Sequence, residues 1–279
     1  MHDGKLLIHA IDSLWAKYQK RLIDCRHAAN EEAVHRLRIS TRRLLSSIDL
    51  LQMLVPLGAL RKLRKALKSE LDSFDDLRDT QVMLLEIASR AESLPQLVPF
   101  LEHLQATEQR LMAQTPSILE AIESKNLEQL IKKAHQHLQK EFGKSDLQAK
   151  ILAIIDASYQ NAIERYHLID IAQPTTIHRT RIGVKKFRYM LESGQQLLPP
   201  LPENHLKRLH AYLTSMGEIQ DSTVLMLSLK HFFIDEVPSP IQAYYQHRHS
   251  VILSAYMTRR GELLQFWRPS ADKPFPWKT

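Results

Sequence analysis

At 279 residues, with 44% hydrophobic and 25% charged side chains, the chain has the balance of a folded protein with a buried core, which excludes a disordered tether. Thirty-eight lysines and arginines against 31 acidic residues leave a formal charge of +7, so a polyanion is the class of partner to consider: nucleic acid, a phosphate polymer or an anionic membrane. The single cysteine, Cys25, excludes an intrachain disulfide and a cysteine-based zinc site; with no apolar run of about 18 residues and a start, MHDGKLLIHAIDSLWAK, unlike a secretion signal, a cytoplasmic chain with no membrane partner is expected.

Apolar residues recur at helical spacing almost everywhere, alternating strand patterns are hard to find, and only seven glycines are present, so the sequence predicts an all-α fold. Breaks are expected near Asn30, Pro56-Leu57-Gly58, Pro95, Lys125-Asn126, Gly143-Lys144-Ser145, Pro174, Pro199 to Pro202 and Pro238 to Pro240. They leave helical segments of roughly 15 to 28 residues, long enough for a bundle.

The first informative helix carries VHRLRISTRR over 34–43. Plotted at about 100° per residue, His35, Arg38 and Arg42 fall within about 60° of one another, flanked by Arg36 and Arg43, while Val34, Leu37, Leu44, Ile48 and Leu51 form the opposite side. His35, Arg38, Arg42 and Arg43 are thus expected on an outward cationic face, where replacing Arg38 and Arg42 would leave the fold intact. The next helix adds Arg61, Arg64, Lys65 and Lys68 outward, with Leu60, Leu63, Leu67 and Phe74 inward. Further along that same outer face come Asp72, Asp75, Asp76 and Asp79, which read as salt-bridge partners for the cations or as a carboxylate metal cluster; bridging is the expected role. The later stretch Lys132, Lys133, His135, His137, Lys140 and Lys144 wraps around its helix and is expected to be solvated surface, and the two histidines lack the one-face spacing of metal ligands.

The opening pattern then returns. IHRTRIGVKK occupies 177–186, placing His178, Arg181, Lys185 and Arg188 on one face, with Lys186 and Tyr189 beside them, opposite Ile177, Val184, Phe187 and Leu191. Ile11-Asp12 with Arg21 recurs as Ile155-Asp156 with Arg165, and Leu77-Arg78-Asp79 with Val82 recurs as Ile219-Gln220-Asp221 with Val224. Marks in one order at a near-constant offset of about 143 residues predict two homologous helical halves, 1–142 and 143–279, each an antiparallel bundle. Lys207, Arg208 and His210 stand in the second half where the first has its longer basic run.

A charged outer face on one helix usually means solvation. Cations without interleaved carboxylates, written twice, point instead to an anion, because like charges at i, i+3 and i+4 destabilise an isolated helix. No phosphate-binding glycine loop, no HExxH, no GxSxG and no dinucleotide fingerprint occur, so a non-catalytic protein without cofactor or metal is expected. The alternatives are a metal-binding or phospho-acceptor role for His35 and His178, and a non-specific nucleic-acid binder. Neighbouring cations and the lack of an orienting carboxylate speak against the first, and an aromatic content of 7% with no stacking platform against the second.

At these residues the sequence resembles the conserved histidine α-helical domain, or CHAD, family. Its pattern of a histidine, an arginine three residues on, a basic pair and a later turn with aspartate reads His35, Arg38, Arg42-Arg43 and Leu77-Arg78-Asp79, then His178, Arg181, Lys185-Lys186 and Met216-Gly217-Glu218-Ile219-Gln220-Asp221. The likeness spans about residues 5–265 and would make 1–279 a single CHAD domain with internal repeats. It implies two helical bundles related by a pseudo-two-fold, with a basic surface that binds inorganic polyphosphate as a stand-alone module. Polyphosphate granules and polyphosphate-metabolising enzymes are the associations it suggests. The residues so implied are His35, Arg38, Arg42, Arg43, Arg61, Arg64, Lys65, Lys68, His178, Arg181, Lys185, Lys186, Arg188, Lys207 and Arg208, from two related helices presenting cations to one long anion. One departure is Leu45, where the second copy has Arg188 and the family pattern a cation; it is expected at the edge of the core.

Overall fold

The computed structural model describes residues 2–142, 146–234 and 236–277, and among them the chain is helical with no strand. Ten α-helices follow in order: α1 (His2–His27), α2 (Glu31–Leu54), α3 (Gly58–Asp72), α4 (Asp75–Ala88), α5 (Val98–Glu120), α6 (Ser124–Glu141), α7 (Leu147–His167), α8 (Pro174–Gly194), α9 (His205–Phe232) and α10 (Ser239–Arg259). Short 3-10 helices occupy Pro95–Leu97, Gln195–Leu197 and Arg260–Gln265.

The breaks follow from local chemistry. Asn30 caps α2, its side-chain oxygen accepting the Ala33 N–H at 2.9 Å, and Glu31 and Glu32 sit in the first turn, where the positive helix end favours them. Pro174 opens α8 and Pro240 lies in the first turn of α10, places where a missing N–H costs no helical bond. Two boundaries differ from expectation. Helix α6 starts at Ser124, so Lys125 and Asn126 lie inside its first turn; Asn126 donates to the Glu123 carboxylate at 3.2 Å, and polar residues at a helix start look like a loop in sequence. The predicted helix running to Asp79 is two helices, parted at Ser73-Phe74. There the Ser73 hydroxyl donates to the Glu70 carbonyl at 2.7 Å and the Phe74 ring turns into the core. The expected break at Gly143-Lys144-Ser145 lies outside the described residues.

Two compact units form, each drawing segments from before and after residue 142, so sequence repeat and compact unit divide the chain differently. The first comprises Met1–Asp75, Met112–Gln160 and Lys186–Glu203. Its core joins α1 to α2, α2 to α3 and α3 to α6, through Tyr18, Leu22 and Cys25, Leu37, Leu44 and Ile48, and Leu60, Leu63 and Leu67. One polar group crosses it: buried Glu70 accepts the Tyr18 hydroxyl at 2.6 Å and the Thr41 hydroxyl at 2.8 Å. Burial pushes the Cys25 thiol up to about 11, so it is an inert core residue.

The second unit comprises Asp76–Leu111, Asn161–Lys185 and Asn204–Thr279. One apolar cluster joins Ile87, Leu97, Phe100 and Leu104 to Leu225, Leu229, Ile241 and Tyr245. A second, aromatic one gathers around the first turns of α9: His205 packs edge-on against Phe266 and Trp277, and Tyr212 against Phe266 and Tyr256.

Burial raises the Glu70 carboxyl above its ordinary value of 4.5, against the opposing pull of Tyr18, Thr41 and Arg26. The Thr41 hydroxyl also reaches the Leu37 carbonyl at 2.9 Å, so its one proton is divided between two acceptors. A raised carboxyl contributes stability that is present below its unfolded value and is lost as pH rises through its folded one. Glu70→Gln should therefore gain melting temperature over the parent at about pH 8 and show little difference at about pH 4.5. Thermal melts across that range check it, and a loss confined to high pH would mean the core holds a carboxylate.

Candidate functional site

In the first unit the cationic helices are held by their apolar sides. Val34, Leu37, Leu44, Ile48 and Leu51 are all buried, which leaves Arg43 exposed and His35 and Arg42 half-buried. On α3, Leu60, Leu63 and Leu67 are fully buried and Arg61, Lys62, Arg64, Lys65 and Lys68 stand exposed. Arg64 reaches Asp49 at 2.5 Å and Lys68 pairs with Asp72, while Arg61 and Lys65 form no ion pair among the described residues. Lys186 is exposed, and Arg188 donates to Glu192 at 2.7 Å.

Arg38 corrects the expectation of a uniform outward face. Its side chain is 7% exposed, donating through Nη1 to the Leu71 carbonyl at 2.7 Å and through Nη2 to Asp75 at 2.8 Å. Leu71 lies in the last turn of α3 and Asp75 opens α4, so the guanidinium pins the break between them. The acidic stretch therefore bridges, at Asp72 to Lys68 and at Asp75 to Arg38, the role expected of it. Among the described residues, no group of three or more His, Cys, Asp or Glu could hold a metal ion. Leu45 is buried, as expected at the core's edge.

In the second unit, buried Ile177 and Val184 orient the start of α8, leaving His178, Arg181 and Lys185 half-buried on its other side. His178 hydrogen-bonds the Gln220 side chain; its Nδ1 is buried and has no partner among the described residues. Burial, then the neighbouring Arg181 and Lys185, hold this ring below its ordinary value of 6.5 against the Gln220 bond. Arg181 likewise has a buried Nε without a hydrogen-bond partner among the described residues, and its guanidinium lies against Gly217 of α9, where a Cβ would sit 3.4 Å from Nη2. Asp221 is pushed up by burial and pulled down by Arg181 and Arg78. Lys207 and Arg208 are exposed; Arg208 donates to Gln265 at 3.1 Å and lies over the Phe266 ring. The site residues thus fall in both units, those of α2 and α3 with Lys186 and Arg188 in the first, the others in the second.

The basic stretch on α6 is solvated, as expected for its described members: Lys132 pairs with Glu128 at 2.7 Å, and His135 contacts Asp12 at 3.3 Å and Gln139 at 2.7 Å. Lys144 lies outside the described residues.

The family model for the CHAD domain matches residues 9–230. The chain belongs to the CHAD family. A crystal structure of the CHAD domain from the plant Ricinus communis superposes with a TM-score of 0.66 at 18% identity, covering 94% of this chain and 89% of that one, so the fold is shared. Comparison with curated proteins finds no match. No described helix is long and apolar enough to cross a membrane.

The CHAD pattern is written twice, yet its two arginines occupy different settings. Gln220, Gly217 and Arg78 contribute to the second setting and were not singled out as site residues from sequence; their one signal was lying within the repeated Leu77-Arg78-Asp79 motif or next to it. Loss of Arg38 removes two hydrogen bonds made by a charged, buried group. Arg38→Gln should therefore destabilise the protein by about 2 kcal/mol, whereas Lys65→Gln on α3 should stay within about 0.5 kcal/mol. Urea unfolding of both variants checks the contrast, and equal stabilities would return Arg38 to the surface.

Proposed function

We propose that this CHAD protein binds inorganic polyphosphate through its cationic helices and does no chemistry on it. The observation that carries the reading is the outer face of α3. Five exposed cations stand there within eight positions, among the described residues only Arg64 and Lys68 have carboxylate partners, and the other face is locked into the core. Such a face offers closely spaced charge-assisted donors without a base-stacking surface, which suits a bare, repetitive phosphate chain better than a base reader. The half-buried side chains of His178 and Arg181, whose Nδ1 and Nε have no partner among the described residues, add polar groups where phosphate oxygens are bound more strongly than at full exposure. Binding of this kind would bring the protein to polyphosphate granules or to enzymes working on the polymer.

The test compares long-chain polyphosphate, triphosphate, RNA and DNA at matched salt, with and without chelator. Long polyphosphate should bind most tightly, chelator should change nothing, and no phosphate should be released. Affinity should fall steeply with salt, by roughly one logarithmic unit per tenfold salt for each phosphate neutralised. A flat salt response or a preference for nucleic acid would overturn the reading.

pH gives a second check. His178 is held below 6.5 in the free protein, and a bound polyanion favours its charged form, so binding takes up a proton. Affinity for long polyphosphate should rise as pH falls below about 6.5, and His178→Gln should flatten that part of the profile. Identical profiles in parent and variant would remove His178 from contact with the anion.

A further inference from the structure

The two copies of the histidine–arginine segment differ in what surrounds the arginine, and the difference is readable position by position. At the offset that aligns Leu77-Arg78-Asp79 with Ile219-Gln220-Asp221, Leu71 corresponds to Leu213 and Asp75 to Gly217. In the first copy the helix is broken between Asp72 and Asp75, so the Leu71 carbonyl, at a helix end, accepts Arg38 as well as the Phe74 N–H at 3.2 Å, and Asp75 supplies the carboxylate. In the second copy α9 runs unbroken from His205 to Phe232. The Leu213 carbonyl is committed to the Gly217 N–H one turn on. The residue corresponding to the carboxylate is a glycine, and the Arg181 guanidinium occupies the space its side chain would fill, at 3.4 to 3.9 Å from the Cβ position. A methyl there would meet the guanidinium only in ordinary contact, whereas a longer side chain would need the space that Arg181 fills. Asp221, the remaining acidic neighbour, acts on Arg181 through space without forming an ion pair among the described residues.

We propose that the copies have divided the work: Arg181, freed by Gly217, is a direct ligand for a phosphoryl oxygen together with His178, and Arg38 is a positioning residue that pins the α3–α4 break and touches no anion. This rests on the polyphosphate reading and names which copy makes the close contact. In the second copy His178 Nδ1 and Arg181 Nε have no hydrogen-bond partner among the described residues, whereas both Nη groups of Arg38 are engaged by protein oxygens.

The experiment transplants the first copy's carboxylate. Gly217→Asp should capture Arg181 and weaken long-polyphosphate binding about tenfold, with helical content retained. Gly217→Ala, whose added methyl meets only ordinary contact, should bind within about twofold of the parent. Thr214→Asp, on an exposed position of α9, controls for the added charge and should lose clearly less than Gly217→Asp. Arg181→Gln should match Gly217→Asp without loss of stability, which keeps the test decisive if the aspartate variant fails to fold. Arg38→Gln, measured at a temperature where it is folded, should bind within about twofold of the parent. Binding of Gly217→Asp and Arg181→Gln at parental strength, or an Arg38→Gln loss as large as that of Arg181→Gln, overturns the assignment. Sulfate-dependent thermal stabilisation separates this inference from the reading beneath it. If the parent ignores polyphosphate, that reading fails; stabilisation by sulfate that survives in Gly217→Ala and vanishes in Gly217→Asp still supports the ligand pair, and its absence from the parent sinks both.

Discussion

Cations crowded along one helix face repel one another, and what keeps them together is the leucine row behind them. Like-charge pairs at helical neighbour spacing cost a few tenths of a kcal/mol each, whereas each fully buried leucine contributes about 1.5 to 3 kcal/mol. On α3 three such leucines, Leu60, Leu63 and Leu67, stand behind five cations, so burial wins comfortably. The charge density is a by-product of a core that would form without it. The surface is therefore preorganised: its cations are held at fixed spacing by the helix, and only their long side chains remain to be ordered.

Much of this was legible in the sequence, and the rest was not for identifiable reasons. Apolar periodicity placed Val34, Leu37, Leu44 and Ile48 inward without error, because a leucine's position on a wheel and its burial are governed by the same hydrophobic term. Arg38 defeated the wheel. It plots only about 20° from Leu45, which was assigned to the core's edge, yet its charge sent it outward on paper. An arginine with two oxygen acceptors at hand tolerates burial well, and no pattern local to α2 reveals that Leu71 and Asp75 will supply them. Those acceptors exist because α3 ends at Asp72, and that ending carries neither proline nor glycine to announce it. One missed break thus hid one buried cation.

The internal repeat is a strong signal in the sequence and a poor guide to where compact units divide. Repeats record ancestry along the chain, whereas compactness depends on which helices share a core, and here each core is assembled from both sides of residue 142. Residues beyond the family match at 230 have their own part in this. Helix α10 completes the apolar cluster of the second unit, and Phe266, Trp267, Phe275 and Trp277 build the aromatic packing over the start of α9.

Helix α9, at 28 residues, has no joint along its length, unlike α3 and α4. Lys207 and Arg208 stand in its first turn and Gly217, the seat of Arg181, lies ten residues from Lys207, so the helix acts as a ruler with marks about 15 Å apart. A single compact anion can sit at one mark only. A chain that repeats its charge every few ångströms is long enough to span the whole interval, and the ruler does not bend to shorten it.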